Sequence, residues 1–339
     1  MPHLPAIHMP TASSTSSAAG SRLVALTGAT GFIGLHLVRT LKAAGHRVRL
    51  LVRRTPAAGA WGDATPELVR GALEDERAID ALVTGADAVI HLAGLIKATS
   101  RAVFMSVNRD GAASVARRTR ALAPSAHFLL VSSLAAREPG LSDYAASKRA
   151  GENAAREAFG APITVLRPPA VYGPGDRETL IFFQLARRKW IPLLGPPEAR
   201  AAMIHVADLC QLIAALADGP ARDAVLTASD ARPDGYRWEE VMGAAARAVG
   251  NTAPRFIRAP VSLLRAVALA GDAGRLLGSA NMLNSQKLRE LRHADWAVPP
   301  AEQARVEGWA PRFDLDRGFV NAVDGYRAAG WLPPPDHRG

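Results

Sequence analysis

Leu23-Val24-Ala25-Leu26-Thr27-Gly28-Ala29-Thr30-Gly31-Phe32-Ile33-Gly34 passes from an apolar run, through three spaced glycines, into an amphipathic segment. A strand that ends in a glycine-rich turn and restarts as a helix is the context a dinucleotide loop requires. Gly28 allows the tight turn, Gly31 lets the backbone approach a pyrophosphate, and Gly34 lets the helix pack on the strand. The helix N-terminus then offers free N–H groups and a positive dipole end, with Thr30, Phe32 and Ile33 beside the phosphates. A P-loop would need Lys-Ser or Lys-Thr after the last glycine, and neither pair follows Gly34.

Outward from this stretch, short apolar runs alternate with longer amphipathic segments. Strands are expected over 23–27, 48–53, 88–92, 128–132 and 163–167, with helices over 31–44, 76–84, 107–123 and 143–159. That alternation predicts an α/β fold, a doubly wound parallel sheet of the Rossmann kind, spanning residues 21–175. The rhythm breaks at Gly173-Pro174-Gly175. Helical patterns recur over 206–217, 238–249, 261–277 and 316–329, and predict a second, smaller, mainly helical C-terminal lobe over 176–335. Residues 205–217 of it are expected to pack back on the sheet, and that lobe is where a substrate would bind.

The 339 residues carry 41 Lys and Arg against 31 Asp and Glu, a formal charge of +10 that favours anionic partners. The basic residues are scattered and no nucleic-acid-reading module accompanies them, so no nucleic-acid partner is expected. The single cysteine, Cys210, excludes an intramolecular disulfide framework and fits a reducing, cytoplasmic compartment. Residues 1–20, rich in Ser, Thr, Ala and Pro, read as a disordered tail. No apolar run reaches the ~18 residues that a membrane span needs. No His, Cys or carboxylate cluster has metal-ligand spacing.

The second strand closes on Arg53-Arg54, where enzymes preferring NAD usually place a carboxylate for the ribose hydroxyls. Two guanidinium groups there favour the 2′-phosphate of NADP(H), with NAD(H) as the alternative. Farther along stand Tyr144 and Lys148, four apart on one helix face. A lysine so placed favours the phenolate and brings the phenol toward a useful proton-transfer pKa. Ser133, at a strand end, can hydrogen-bond a substrate oxygen as charge builds on it.

Thr27-Gly28-x-x-Gly31-x-x-Gly34, His91-Leu92-Ala93-Gly94, Ser132-Ser133, Tyr144-x-x-x-Lys148 and Arg167-Pro168-Pro169-Ala170-Val171-Tyr172-Gly173-Pro174-Gly175 follow in this order. Together they resemble the extended short-chain dehydrogenase/reductase superfamily, also called the NAD-dependent epimerase/dehydratase family. The resemblance covers residues 22–217 well and the remainder loosely. It implies that Ser133, Tyr144 and Lys148 are catalytic, that Lys148 also holds the nicotinamide ribose, and that Asn108 orders the active site. It places Leu73, Leu92, Ala93 and Gly94 on the adenosine side and Pro168 and Val171 beside the nicotinamide. His91 and His205 match structural positions, and a homodimer through the helices bearing Asn108 and Tyr144 is implied.

Three departures narrow the chemistry. Gly71-Ala72-Leu73 lacks the acidic residue with which the family touches adenine. Leu134 and Ala135 stand where sugar dehydratases carry an Asp-Glu pair, and Ala170 where nucleotide-sugar epimerases tend to have Asn. The expected activity is therefore interconversion of a secondary alcohol and ketone on an apolar small molecule. A nucleotide-sugar epimerase and a non-enzymatic cofactor-binding subunit are the alternatives. The apolar run 260–270 suits a cover over a lipophilic substrate, a contact with a membrane surface, or a plain core helix.

Overall fold

The computed structural model describes residues 20–57, 59–276 and 283–334. Apart from Gly20, the expected tail lies outside the described residues, as does position 277 of the helix expected over 261–277. β1 (Leu23–Thr27), α1 (Phe32–Ala43), β2 (Arg47–Val52), β3 (Glu67–Arg70), α2 (Glu76–Val83) and β4 (Ala88–His91) form the first half of the dinucleotide-binding region. A π-helical turn, Ser106–Asp110, joins α3 (Arg101–Met105) to α4 (Gly111–Leu122). β5 (His127–Val131) runs into a 3-10 turn, Leu134–Arg137, followed by α5 (Asp143–Phe159), β6 (Thr164–Arg167) and β7 (Ala170–Tyr172). Next come α6 (Leu180–Ala186), β8 (Trp190–Leu193), β9 (Arg200–Ala201), β10 (Met203–His205), α7 (Val206–Asp218) and β11 (Ala224–Thr227). The remaining elements are β12 (Tyr236–Arg237), α8 (Trp238–Val249), β13 (Arg255–Arg258), α9 (Val261–Leu276), α10 (Ser285–Arg292), β14 (Asp295–Trp296) and α11 (Leu315–Ala328).

Seven strands form one parallel sheet in the order β11-β6-β5-β4-β1-β2-β3. Alternate side chains face opposite cores, because successive residues of a strand point to opposite faces. Val24, Leu26, Val48 and Leu50 pack under α1 and α7, whereas Ala25, Leu51, Val89 and Phe128 pack under α2, α4 and α5. The order reverses between β1 and β4, so the loops leaving these two strands diverge and open a crevice at the sheet's carboxyl edge.

Two strands of this sheet, β3 and β11, and the π-helical turn before α4 are absent from the sequence reading. β3 is an edge strand whose only shielded residue is Val69, so it carries no apolar signature. β11 lies beyond residue 175, yet it pairs with β6 from Ala224 opposite Thr164 to Thr227 opposite Arg167. The C-terminal lobe therefore returns more to the sheet than residues 205–217. The helix expected from residue 107 begins instead at Arg101 and is broken by the π-helical turn.

The second lobe has its own core, in which Tyr172, Phe183, Phe319 and Tyr326 meet residues of α8. Phe183 sets its ring edge-on to Phe319 at 4.9 Å between centroids. α9 rests on α10 through Leu264, Ala268 and Leu288. Cys210 is buried in α7, where burial pushes its thiol pKa up. No helix among the described residues is long and apolar enough to cross a membrane.

Candidate active site

At the end of β1 the chain turns through Gly28 at φ +79°, a conformation that side chains with a Cβ rarely adopt. A Cβ there would also lie 2.7 Å from the Ala93 nitrogen and 2.8 Å from the Leu92 carbonyl carbon. The phosphate loop and the loop after β4 thus touch backbone to backbone. Thr27 Oγ1 accepts from the Ala93 N–H at 3.2 Å and lies 2.9 Å from His91 Nδ1, tying the same two strand ends. A Cβ on Gly34 would meet the Gly28 oxygen at 2.2 Å and Ala29 Cα at 2.7 Å. Gly34 therefore lets the helix close on the loop itself, where the sequence reading had it packing on the strand. Trp61 Nε1 donates to the Ala29 carbonyl at 3.1 Å and holds the loop from the far side.

No side chain caps Gly31, so the first-turn N–H groups of Phe32, Ile33 and Gly34 are free for an anion, with Thr30 exposed beside them. This cradle fits a pyrophosphate. Arg53 and Arg54 are both exposed in the bend after β2, at the sheet's carboxyl edge. Leu73 is packed against α4, where a Cβ on Gly111 would meet its Cδ1 at 2.8 Å. Pro168 accepts from the Leu134 N–H at 2.8 Å, and Val171 is half-buried against α7's core.

Tyr144 and Lys148 occupy the first turns of α5, whose N-terminus is capped by Ser142 Oγ accepting from the Ala145 N–H at 3.0 Å. Lys148 Nζ donates to the Val131 carbonyl at 3.0 Å, fixing the helix to the end of β5. Asn108, in the π-helical turn, accepts from the Leu95 N–H at 2.7 Å and donates to the Leu95 carbonyl at 3.0 Å. It also donates to Ser147 Oγ at 2.9 Å, so one side chain clasps the loop after β4 to α5. Gly94 completes the contact: a Cβ there would lie 3.1 Å from Asn108 Oδ1 and 3.5 Å from Lys148 Nζ.

The two adjacent serines have different partners. Ser132 donates to Glu152 Oε1 at 2.5 Å, and Glu152 takes both arms of the Arg167 guanidinium at 2.9 and 2.6 Å. Ser133 accepts from the Ala135 N–H at 3.2 Å and turns its hydroxyl to the Tyr144 phenol. Leu134, next in the chain, is buried in the core.

Burial pushes the Tyr144 pKa up to about 12; the Ser133 hydrogen bond opposes this and Glu290 adds to it. The expected depression by Lys148 is thus not found: loss of water around the phenol dominates, and the hydrogen bond from Ser133 is what opposes it. Burial brings Lys148 down to about 8, against the opposing pull of Glu152. His91 is driven to about 3 by burial and then by Lys148, which makes it a neutral partner of Thr27. His205, also near 3 through burial, is stacked on Phe313 and bonded to Asn321 Oδ1 at 3.1 Å.

Sequence reasoning overlooked Glu152, Ser147 and the whole of α10. Glu152 follows Lys148 by four residues on the same helix face, a spacing that signals contact. α10 gave no local signal because its partners lie about half the chain away. Gln286 Oε1 accepts from the Asp143 N–H at 2.9 Å, Arg289 Nε donates to the Leu141 carbonyl at 2.8 Å, and Glu290 bonds Ser142. The second lobe is thereby fastened to the helix end that carries Tyr144.

The family model described as the NAD dependent epimerase/dehydratase family matches residues 24–226. A ceramide reductase of Caulobacter vibrioides (strain NA1000 / CB15N) is 48% identical over 312 residues, covering 92% of this chain and 96% of that one. Among solved structures, the dTDP-glucose 4,6-dehydratase DesIV of Streptomyces venezuelae, with NAD and TYD bound, superposes with a TM-score of 0.68 at 20% identity. That alignment covers 93% of this chain and 100% of the dehydratase. The Bordetella bronchiseptica enzyme WbmH in complex with NAD+ gives 0.68 at 18% identity, over 91% and 99% of the two chains. The two structures share the fold; the family match, spanning the cradle, the Tyr144 cluster and β11, goes further, and the chain belongs to the NAD dependent epimerase/dehydratase family of NAD-dependent enzymes.

Proposed function

We propose that this chain is a reductase that uses NADPH to convert the ketone form of a ceramide-type lipid, or a similarly apolar ketone, into a secondary alcohol. The reading is carried by the Ser133 hydroxyl bonded to the Tyr144 phenol and by Lys148, four residues on in α5, tied to the Val131 carbonyl at the end of β5, with Leu134 and Ala135 following Ser133. Water elimination needs an acid and a base at those two positions, and an aliphatic pair cannot supply them. The 48% identity to a ceramide reductase, extending through the second lobe, supports the lipid class.

NADPH held on the glycine cradle would supply the hydride for the carbonyl carbon. Tyr144 gives its phenolic proton to the carbonyl oxygen, so that ketone, hydride and proton become one alcohol. With its pKa near 12, Tyr144 is fully protonated at neutral pH yet more acidic than an aliphatic alcohol, which suits a proton donor in the reducing direction. Ser133 steadies the same oxygen by a hydrogen bond. Lys148, when protonated, offsets the phenolate left behind and holds the nicotinamide ribose. Arg53 and Arg54 would hold the 2′-phosphate of the adenosine ribose.

Replacing Tyr144 with Phe tests the assignment. Turnover of a ceramide-type ketone is expected to fall by about a hundredfold or more, while NADPH affinity measured by calorimetry stays within twofold of the parent, roughly. Retained turnover would sink the mechanism. Turnover by the parent of a nucleotide sugar but of no lipid ketone would sink the substrate class.

A further inference from the structure

α9 buries one face and leaves the other bare. Leu264 and Ala268, four apart, point into the contact with α10, Leu194 and Leu283, and Gly271 lies close against the Leu283 backbone. The opposite face is exposed and apolar: Leu263 is 56% exposed, Val267 43% and Leu269 64%. An exposed helix face of this kind loses free energy in water and calls for a cover.

The apolar surface continues back along the chain. β13 leads into α9 through Ala259 and Pro260, and it pairs in parallel with β8. Trp190 and Ile257 project outward from these two strands at 49% and 44% exposure. The residues around them are cationic. Arg187, Arg188 and Lys189 immediately precede Trp190, Arg255 lies over its ring at 5.3 Å, and Arg265 is exposed on α9. Among the described residues, none of Arg187, Arg188, Lys189 and Arg265 forms an ion pair with an acidic side chain, and the chain as a whole carries +10.

We infer that α9 with the β8–β13 ribbon is an interfacial docking surface for an anionic phospholipid bilayer. A tryptophan, aliphatic side chains on one helix face and a rim of Arg and Lys match what the headgroup boundary accepts from a helix lying in its plane. The cations answer to the charge of the headgroups, which a protein partner of undirected chemistry would not require. The position has a purpose that rests on the lipid reductase reading: α9 lies on α10, and α10 is bonded to the N-terminus of α5 beside Tyr144. A substrate leaving the bilayer at α9 is one helix away from the proton donor.

The test is flotation of the full chain with phosphatidylcholine vesicles, with and without phosphatidylglycerol, comparing the parent with the double variant Leu263→Asp, Val267→Asp. The parent is expected to float with the anionic vesicles and to be released by salt, and the variant to lose at least about tenfold of that binding. Reduction of a short-chain, water-soluble ketone and the thermal midpoint should stay at the parent's values, because neither side chain touches the core or the site. Charge-reversed Arg187→Glu, Arg188→Glu should weaken binding to anionic vesicles alone. A parent that floats with neither vesicle, or a double variant that floats as well as the parent, overturns the proposal. So does sedimentation showing that the parent is a dimer in the presence of vesicles and that the double variant is a monomer. Vesicle binding without turnover of any lipid ketone upholds the surface and defeats the lipid reductase reading instead.

Discussion

The behaviour of single residues here follows from what burial does to charge. Lys148 is held near pKa 8 because the end of β5 and the π-helical turn keep water from its ammonium group. In the proposed reaction its protonated form is the one that aids Tyr144 and holds the ribose, so kcat/KM for NADPH should fall as pH rises through about 8. The sign follows from a depressed pKa on a base: the charged form persists below it and is lost above it. Lys148→Arg should shift that limb to higher pH, and a profile flat to the limit of folding would remove Lys148 from the step. Cofactor choice belongs to the same scale. With Arg53 and Arg54 both replaced by Ser, the Michaelis constant for NADPH should rise about tenfold or more while that for NADH changes little, because only NADPH carries the 2′-phosphate. Equal effects on both cofactors would mean that these arginines merely end a strand.

Helices and turns set the distances that those residues need. α5 approaches the π-helical turn so closely that a Cβ on Gly151 would lie 2.2 Å from the Asn108 carbonyl oxygen. Backbone cannot yield as a flexible side chain can, so Gly151→Ala should cost about 1–3 kcal/mol in urea unfolding. It should also lower turnover, since Asn108 and Lys148 sit on the two surfaces being forced apart. Unchanged stability would show that the elements slide freely. The cradle and the Tyr144-Lys148 pair were legible in the sequence because each is local: three glycines at fixed spacing, two side chains four apart on a helix. β3 was not, because an exposed edge strand has no buried face to pattern its residues. Asn108 was named only through the resemblance, and the partners of its clasp were not legible, because they depend on a π-helical turn that no short-range pattern announces. The high pKa of Tyr144 was hidden for a different reason: sequence shows which charge is near, while the dominant effect is how much water the fold removes.

For the whole molecule, the question is whether sheet and lobe are separable. A division at residue 175 in which residues 205–217 return to the sheet understates what the second part contributes, since the sheet's first core is completed from it and β11 returns as well. Ile204, Val206, Leu209, Leu212 and Ile213 all lie beyond that boundary and are buried beneath β1, β2 and β4. β11 then covers the open side of β6, and Arg167, paired to Glu152, reaches Glu302 at 3.6 Å. Without these, a fragment of residues 20–175 would expose an apolar sheet face and leave the apolar β6 as an open edge strand, both of which favour association over folding. The intact chain should therefore unfold in one calorimetric transition, with its van't Hoff and calorimetric enthalpies in agreement. Tryptophan fluorescence, to which Trp238 and Trp331 packed against the lobe's core contribute, should change at the same midpoint as the far-ultraviolet signal of the sheet. Two resolved transitions, or a monomeric and cooperatively folded 20–175 fragment, would show that the lobe only docks on a finished domain. In that case the hydrogen bonds from α10 to the Tyr144 helix would be the contacts of a hinge, and catalysis would depend on their closing in every cycle.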